Sequence, residues 1–253
     1  MAQVYTLNVL IDNAVLALHS KDSLCIAKKV NGVYDVVFQG AAPVPSGDQK
    51  LLLANNQFQW TEEYRVFLTQ SFGNGVMISH STTPVEISFG QVAIWKDGAL
   101  QPAVTADTST WDLVDGSSPD TTFAVESAPI SLHAAVEQST GGGQYSTIYV
   151  DPDIHMGDTR IELTPKNEYL VFWKKITTTE AMLAISTSVG HQWKFAPGKT
   201  IKTIRFGYAT PEQPSSALEI PTWADEATWT LGPQHLRGGP PKHSSAQAAA
   251  RHS

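Results

Sequence analysis

Along most of this chain apolar and polar side chains alternate with a period of two, the spacing of a half-buried β-strand. Residues 5–11 (Tyr-Thr-Leu-Asn-Val-Leu-Ile) set the pattern, closed by a turn at Asp12-Asn13, and 15–19 follows as a second short extended run. Runs 24–30 and 33–38 flank Asn31-Gly32, and runs 92–96 and 99–104 flank Asp97-Gly98. Each dipeptide between two extended runs predicts a hairpin, because a type I′ turn needs positive φ at both central residues. Residues 58–68 read as one longer strand with Phe58, Trp60, Tyr64, Val66 and Leu68 at even positions. Further extended runs are predicted at 85–89, 145–150, 160–163, 168–173, 182–187, 191–195 and 201–208. The only helical candidates, 217–220 and 223–229, are interrupted by Pro214 and Pro221. The pattern predicts an all-β protein.

The aromatic strand has an echo. Glu168-Tyr169-Leu170-Val171-Phe172-Trp173 repeats the character of Glu63-Tyr64-Arg65-Val66-Phe67 about 105 residues downstream. Val76-Met77 falls at the same offset as Ala181-Met182, Gly90-Gln91 matches Gly198-Lys199 after a small insertion, and Leu18-His19 resembles Leu132-His133. The expected architecture is therefore two antiparallel β-sandwich-like halves from an internal duplication, 1–110 and 121–236, joined by a polar connection at 111–120. The Gly-, Pro- and Ala-rich segment 237–253 has too little apolar surface to offset its ordering entropy and is expected to be disordered. A cleft between the halves would be the natural ligand site.

Phe58-x-Trp60 with Tyr64-x-Val66-Phe67, then Glu168-Tyr169-Leu170-Val171-Phe172, Phe195-Ala196-Pro197-Gly198 and a terminal Trp, resembles the small microbial all-β proteins of the rhizosphere-expressed RhiA-like type. The opening Tyr5-Thr6-Leu7-Asn8-Val9 is similar to that family's start. The resemblance spans about residues 4–231 and implies a fold, without implying a chemistry.

Composition narrows the function classes. The 253 residues are 42% hydrophobic and 16% charged, with a net charge of −7. Nucleic-acid phosphates demand a basic patch, so no nucleic-acid partner is expected, nor tight binding to an anionic membrane. No run approaches the ~20 apolar residues of a membrane span, and the N-terminus carries no signal-peptide pattern. The single cysteine, Cys25, excludes an intrachain disulfide and is read as a packing residue in a cytoplasmic protein. Unprotected sheet edges would favour a homodimer.

Catalytic signatures are missing: there is no nucleophile elbow, zinc motif, P-loop or dinucleotide fingerprint. Asp151, Asp153 and Asp158 with Gly157 offer calcium-type oxygens, but the spacing fails the EF-hand pattern and Pro152 marks a turn. The loop is read as an ordinary acidic turn; no metal and no cofactor is expected. Gly141-Gly142-Gly143 reads as a flexible hairpin. His80 and His191 sit beside apolar strand ends where an imidazole suits acid–base work, while His19 and His133 read as packing or hydrogen-bonding positions.

Tryptophan and tyrosine are the remaining signal. Most belong to a core, yet together Trp60, Tyr64, Tyr149, Trp173 and Trp193 would line an apolar pocket with Arg65 and Lys174 as polar handles. The functional expectation is a cofactor-independent cyclase of secondary metabolism, of cycloaddition type such as a hetero-Diels–Alderase. It would bind an apolar polyketide or terpenoid intermediate, with His191, His80 and Arg65 as catalytic groups. The alternative is a non-catalytic, lectin-like carbohydrate- or small-molecule-binding protein.

Overall fold

The computed structural model describes residues 3–113, 117–129, 131–154, 157, 159–175, 179–183, 190–210 and 212–225. In chain order the first elements are β1 Val4–Ile11, a one-turn helix α1 Asn13–Leu16, β2 Asp22–Val30, β3 Gln39–Ala42, β4 Lys50–Leu51, β5 Asn55–Thr61 and β6 Tyr64–Thr69. Then come β7 Val85–Ile87, β8 Gln91–Lys96, β9 Ala99–Leu100, β10 Val104–Thr105, β11 Phe123–Glu126 and β12 His133–Gly141. The last are β13 Gln144–Val150, β14 Arg160–Leu163, β15 Pro165–Lys175, β16 Gly190–Trp193, β17 Ile201–Gly207 and β18 Thr222–Asp225. The all-β expectation holds.

Among the described residues four sheets form, in the orders β18-β17-β1-β5, β10-β8-β11-β14, β13-β12-β6-β7 and β16-β15-β2-β3-β4, with β9 pairing β8. Every one of them takes strands from both sides of residues 111–120. The hydrogen bonding therefore does not follow the expected division into two separately built halves. The two aromatic copies are exchanged: β6 pairs with β12 of the later half, and β15 pairs with β2 of the earlier half. Pairing is mostly antiparallel, with parallel ladders at β1–β17, β8–β11 and β3–β4. One core, from Leu7 and Ile26 to Val136, Tyr169 and Ile204, is walled by strands of all four sheets.

Local chemistry explains both the agreements and the departures. In β1 the alternation turns Tyr5, Leu7, Val9 and Ile11 inward, all buried, and each such apolar side chain contributes roughly 1.5–3 kcal/mol. Asn31 (φ 47°) and Gly32 (φ 86°), like Asp97 (φ 55°) and Gly98 (φ 83°), adopt the left-handed backbone that their turns require. The single strand expected over 58–68 is two strands. Chain direction changes at Glu62-Glu63, so β5 pairs with β1 while β6 crosses to β12. Both faces of β6 are covered, which is why Phe67 is as buried as Val66 and Leu68.

The extended run expected at 15–19 is instead α1 followed by a 3₁₀ turn over Ala17–His19. Glu212 accepts the N–H groups of Asn13 (3.0 Å) and Ala14 (3.1 Å), satisfying donors that a first helical turn leaves open. Asp12, at the entry, is buried against Arg205 and also accepts the N–H groups of Tyr208 and Glu212. Trp223, expected in a helical turn, lies in β18 and pairs with Phe206. Residues 226–253, which hold the expected tail, and most of the 182–187 run lie outside the described residues.

Candidate functional site

The second arm of the Asn31-Gly32 hairpin leaves its sheet almost at once. After a single bridge between Val30 and Val33, residues 35–37 pair with residues 180–183 instead. Leu183 N–H donates to Asp35 O (2.6 Å), Val37 N–H to Ala181 O (3.0 Å) and Glu180 N–H to Val37 O (2.8 Å). On its far side the same 180–183 segment takes up residues 75–78, through Gly75 N–H to Met182 O (3.0 Å) and Met182 N–H to Val76 O (3.1 Å). The result is a small ribbon lying over the outer face of β2 and β15, where Cys25, Ala27, Val37, Leu170, Phe172 and Leu183 form a satellite core.

Where the ribbon stands off from β15 and β16 it leaves a cleft of about 630 Å³, walled mainly by carbon. Leu170, Met182, Leu183 and Phe72 supply the apolar surface, and Tyr34, Asp35, Asn74 and Gln192 the polar groups. Its size falls in the range of small-molecule sites. Phe72, 41% exposed, is held upright by stacking on His133 (4.8 Å, 17°), whose Nδ1 is 2.8 Å from Asp151 O. Gly190 lets β16 close on β15: a Cβ there would come within 2.5 Å of Leu170 Cδ1 and 3.0 Å of Val171 O.

Asp35 is the unusual group. Its Oδ1 is buried without a hydrogen-bond partner among the described residues. Burial pushes the carboxyl up to about 7; the Val150 and Asp35 backbone N–H groups oppose this and Asp151 adds to it. Burial thus favours its protonated form. The neighbouring Tyr34 hydroxyl is also buried and has no partner among the described residues, and burial first, then Glu168, pushes it up to about 12. An apolar cleft containing a carboxylic acid poised near the working pH is a common form of acid–base site. In the sequence both residues read as an ordinary hairpin arm. One signal is present there: Asp35 shares its alternation phase with Val33 and Val37, an acid where an apolar residue belongs.

None of the sequence candidates lines this cleft. Trp60, Tyr64, Tyr149 and Trp193 are buried in the core. Trp60 Nε1 donates to Tyr169 Oη at 2.9 Å and Trp193 stacks on Tyr169 at 4.7 Å. Tyr64 Oη accepts from Lys28 Nζ at 2.9 Å, and Gln138 Oε1 accepts from the same ammonium at 3.0 Å. Lys28 is 1% exposed, and burial pulls it down to about 7 against the opposing pull of Glu62. Strand alternation marked these aromatics correctly as inward, and inward here means packed.

The other candidates fall in three places. His80 Nε2 meets Glu137 Oε1 at 2.6 Å, and Arg65 is the register partner of that same Glu137. Glu137 is buried, which raises its carboxyl, while His80 opposes the shift. Arg65 also pairs with Glu86 (3.3 Å) and lies 3.7 Å over the Tyr145 ring, in an open cleft of about 950 Å³ that Glu62, Glu63 and Tyr64 also line. His191 Nε2 is 3.3 Å from Asp225 and stacks at 6.3 Å on Trp223, next to Trp173, which in turn stacks on His19 at 4.0 Å. Lys174 faces a further cleft. His19 meets Asp22 at 2.9 Å, so both it and His133 are hydrogen-bonded, as read from sequence. In the acidic loop, Asp151 accepts the Asp153 N–H at 2.9 Å, and Asp158 lies outside the described residues.

No protein-family model, curated protein or solved structure matches this chain.

Proposed function

We propose that the protein binds an apolar small molecule in the cleft beside Asp35 and assists a ring closure or isomerisation of it by proton donation. One observation carries this reading: among the described residues, a cleft whose walls are mainly carbon is lined by an aspartate with a buried carboxyl oxygen that has no hydrogen-bond partner there. Such a group costs stability in the empty protein, and a bound carbonyl or ether oxygen that accepts its proton would recover part of that cost. The cleft holds the substrate in a folded, reactive shape, and Asp35 places a hydrogen bond on the charge developing at oxygen. Tyr34 is the second donor within reach of the same walls. This keeps the cofactor-free cyclase expected from sequence and moves its acid from histidine to Asp35.

The test pairs binding with turnover. Linear polyketide and terpenoid carbonyl compounds are incubated with the wild-type protein and with Asp35→Asn, and products of unchanged mass are sought by chromatography and NMR. A ring-closed or isomerised product that Asp35→Asn forms at least ten-fold more slowly, with substrate affinity within about three-fold, supports the proposal. Equal rates in the two proteins would overturn the assignment of the acid.

A further inference from the structure

We infer that the ligand of this cleft is an anionic amphiphile whose terminal carboxylate or phosphate lies against Lys21 and Lys174. The inference rests on the apolar-cleft reading above and adds the substrate's charge and polarity. A second cleft, about 700 Å³, adjoins the first: both are lined by Asn74, and Ala181 and Met182 are successive residues of the same ribbon strand. Gly75, next to Asn74, lines the second cleft and donates its N–H to Met182 O, so the turn Gly73-Asn74-Gly75 and the ribbon it joins lie between the two spaces.

The two clefts differ in charge. Among the described residues the first carries one carboxyl, Asp35, whose charge burial disfavours. The second carries Lys21 and Lys174 with Ser20, Ser46 and Gln49, and no carboxylate among the described residues lines it. Asp22, the nearest acid in sequence, is held by His19 at 2.9 Å, and Asp48 lines a different cleft. Neither lysine makes an ion pair among the described residues. In a chain of net charge −7 an acid-free pair of cations is a local reversal of sign. Apolar surface also continues into this cleft: Val44 is 85% exposed and Met77 51% exposed at its wall. Two neighbouring clefts with mainly carbon walls, the second carrying two ammonium groups, fit a molecule with an apolar body and an anionic end.

The experiment uses the full chain and simple probes. Dissociation constants for dodecanol, laurate, dodecyl phosphate and dodecyltrimethylammonium are measured by calorimetry at low and at moderate salt, with inorganic phosphate alone as a headgroup control. The same set is run on Lys21→Met/Lys174→Met, which keeps the apolar stems. The expected result is that laurate or dodecyl phosphate binds on the order of ten-fold more tightly than dodecanol, the size expected of two partly exposed charge pairs. The preference should shrink with salt and vanish in the double variant, whose dodecanol affinity stays the same. The laurate and dodecyl phosphate arms tell a carboxylate end from a phosphate end. Dodecanol binding without an anion preference, or a preference that survives the double substitution, would overturn this inference and leave the apolar cleft standing. Failure of all four chain probes to bind would overturn both.

Discussion

Replacing Asp35 by asparagine isolates the free energy stored in the cleft. The carboxyl stands at about 7 in the folded protein against an ordinary value near 3.8. The folded state therefore binds more protons than the unfolded chain between about pH 4 and 7, and stability falls with rising pH across that window. The contribution of a neutral Asp35 is fully present below pH 4 and lost above pH 7. A shift of about three units corresponds to roughly 4 kcal/mol, and partial access to solvent brings the working figure to about 2–4 kcal/mol. Asparagine keeps the shape and carries no charge at any pH. Urea unfolding of both proteins at pH 3.5, 6 and 8 should show near-equal stability at the lowest pH. At pH 8 the Asp35→Asn variant should be more stable than wild type by about 2–4 kcal/mol. Other titrating groups cancel in the difference. A difference independent of pH would refute the buried, proton-holding carboxyl, whatever its sign.

Three further outcomes follow from the same structure. Lys28 stands at about 7 when folded, so the unfolded chain binds more protons above that value and its contribution to stability rises with pH; from pH 7 to 8.5 wild type should gain about 2 kcal/mol relative to Lys28→Met, read by urea unfolding of both. Asp12→Ala leaves Arg205 buried without its carboxylate and should cost about 3–5 kcal/mol, measured by thermal and urea unfolding. Cys25 is fully buried and its thiol is pushed up to about 12 by burial, so a maleimide should label it only after denaturant is added, as mass spectrometry would show.

How far the fold was legible depends on how local its causes are. Asn31-Gly32 and Asp97-Gly98 announced their turns because positive φ is a property of those residues themselves. The period of two in β1 was equally plain, since one face of it meets the core. The break at Glu62-Glu63 was not, because β5 and β6 join different sheets and only long-range pairing decides that. Nor could residues 15–19 reveal a helix whose first donors are met by Glu212, about 200 residues away. The site was less legible than the fold for a related reason. Aromatic residues in phase with a strand mark the core, so Trp60 and Trp193 drew attention to the most structural place in the molecule. The telling residues were the polar ones in apolar phase: Asp35 with Val33 and Val37, and Lys28 with Leu24, Ile26 and Val30.

The measurement that bears most directly on the account is the carbon-13 titration of the Asp35 carboxyl, with and without saturating dodecanol. A titration midpoint near 7 in the free protein, moving higher when the neutral probe displaces water from the cleft, is the predicted result. A midpoint near the ordinary value of about 4 that dodecanol leaves in place would contradict it.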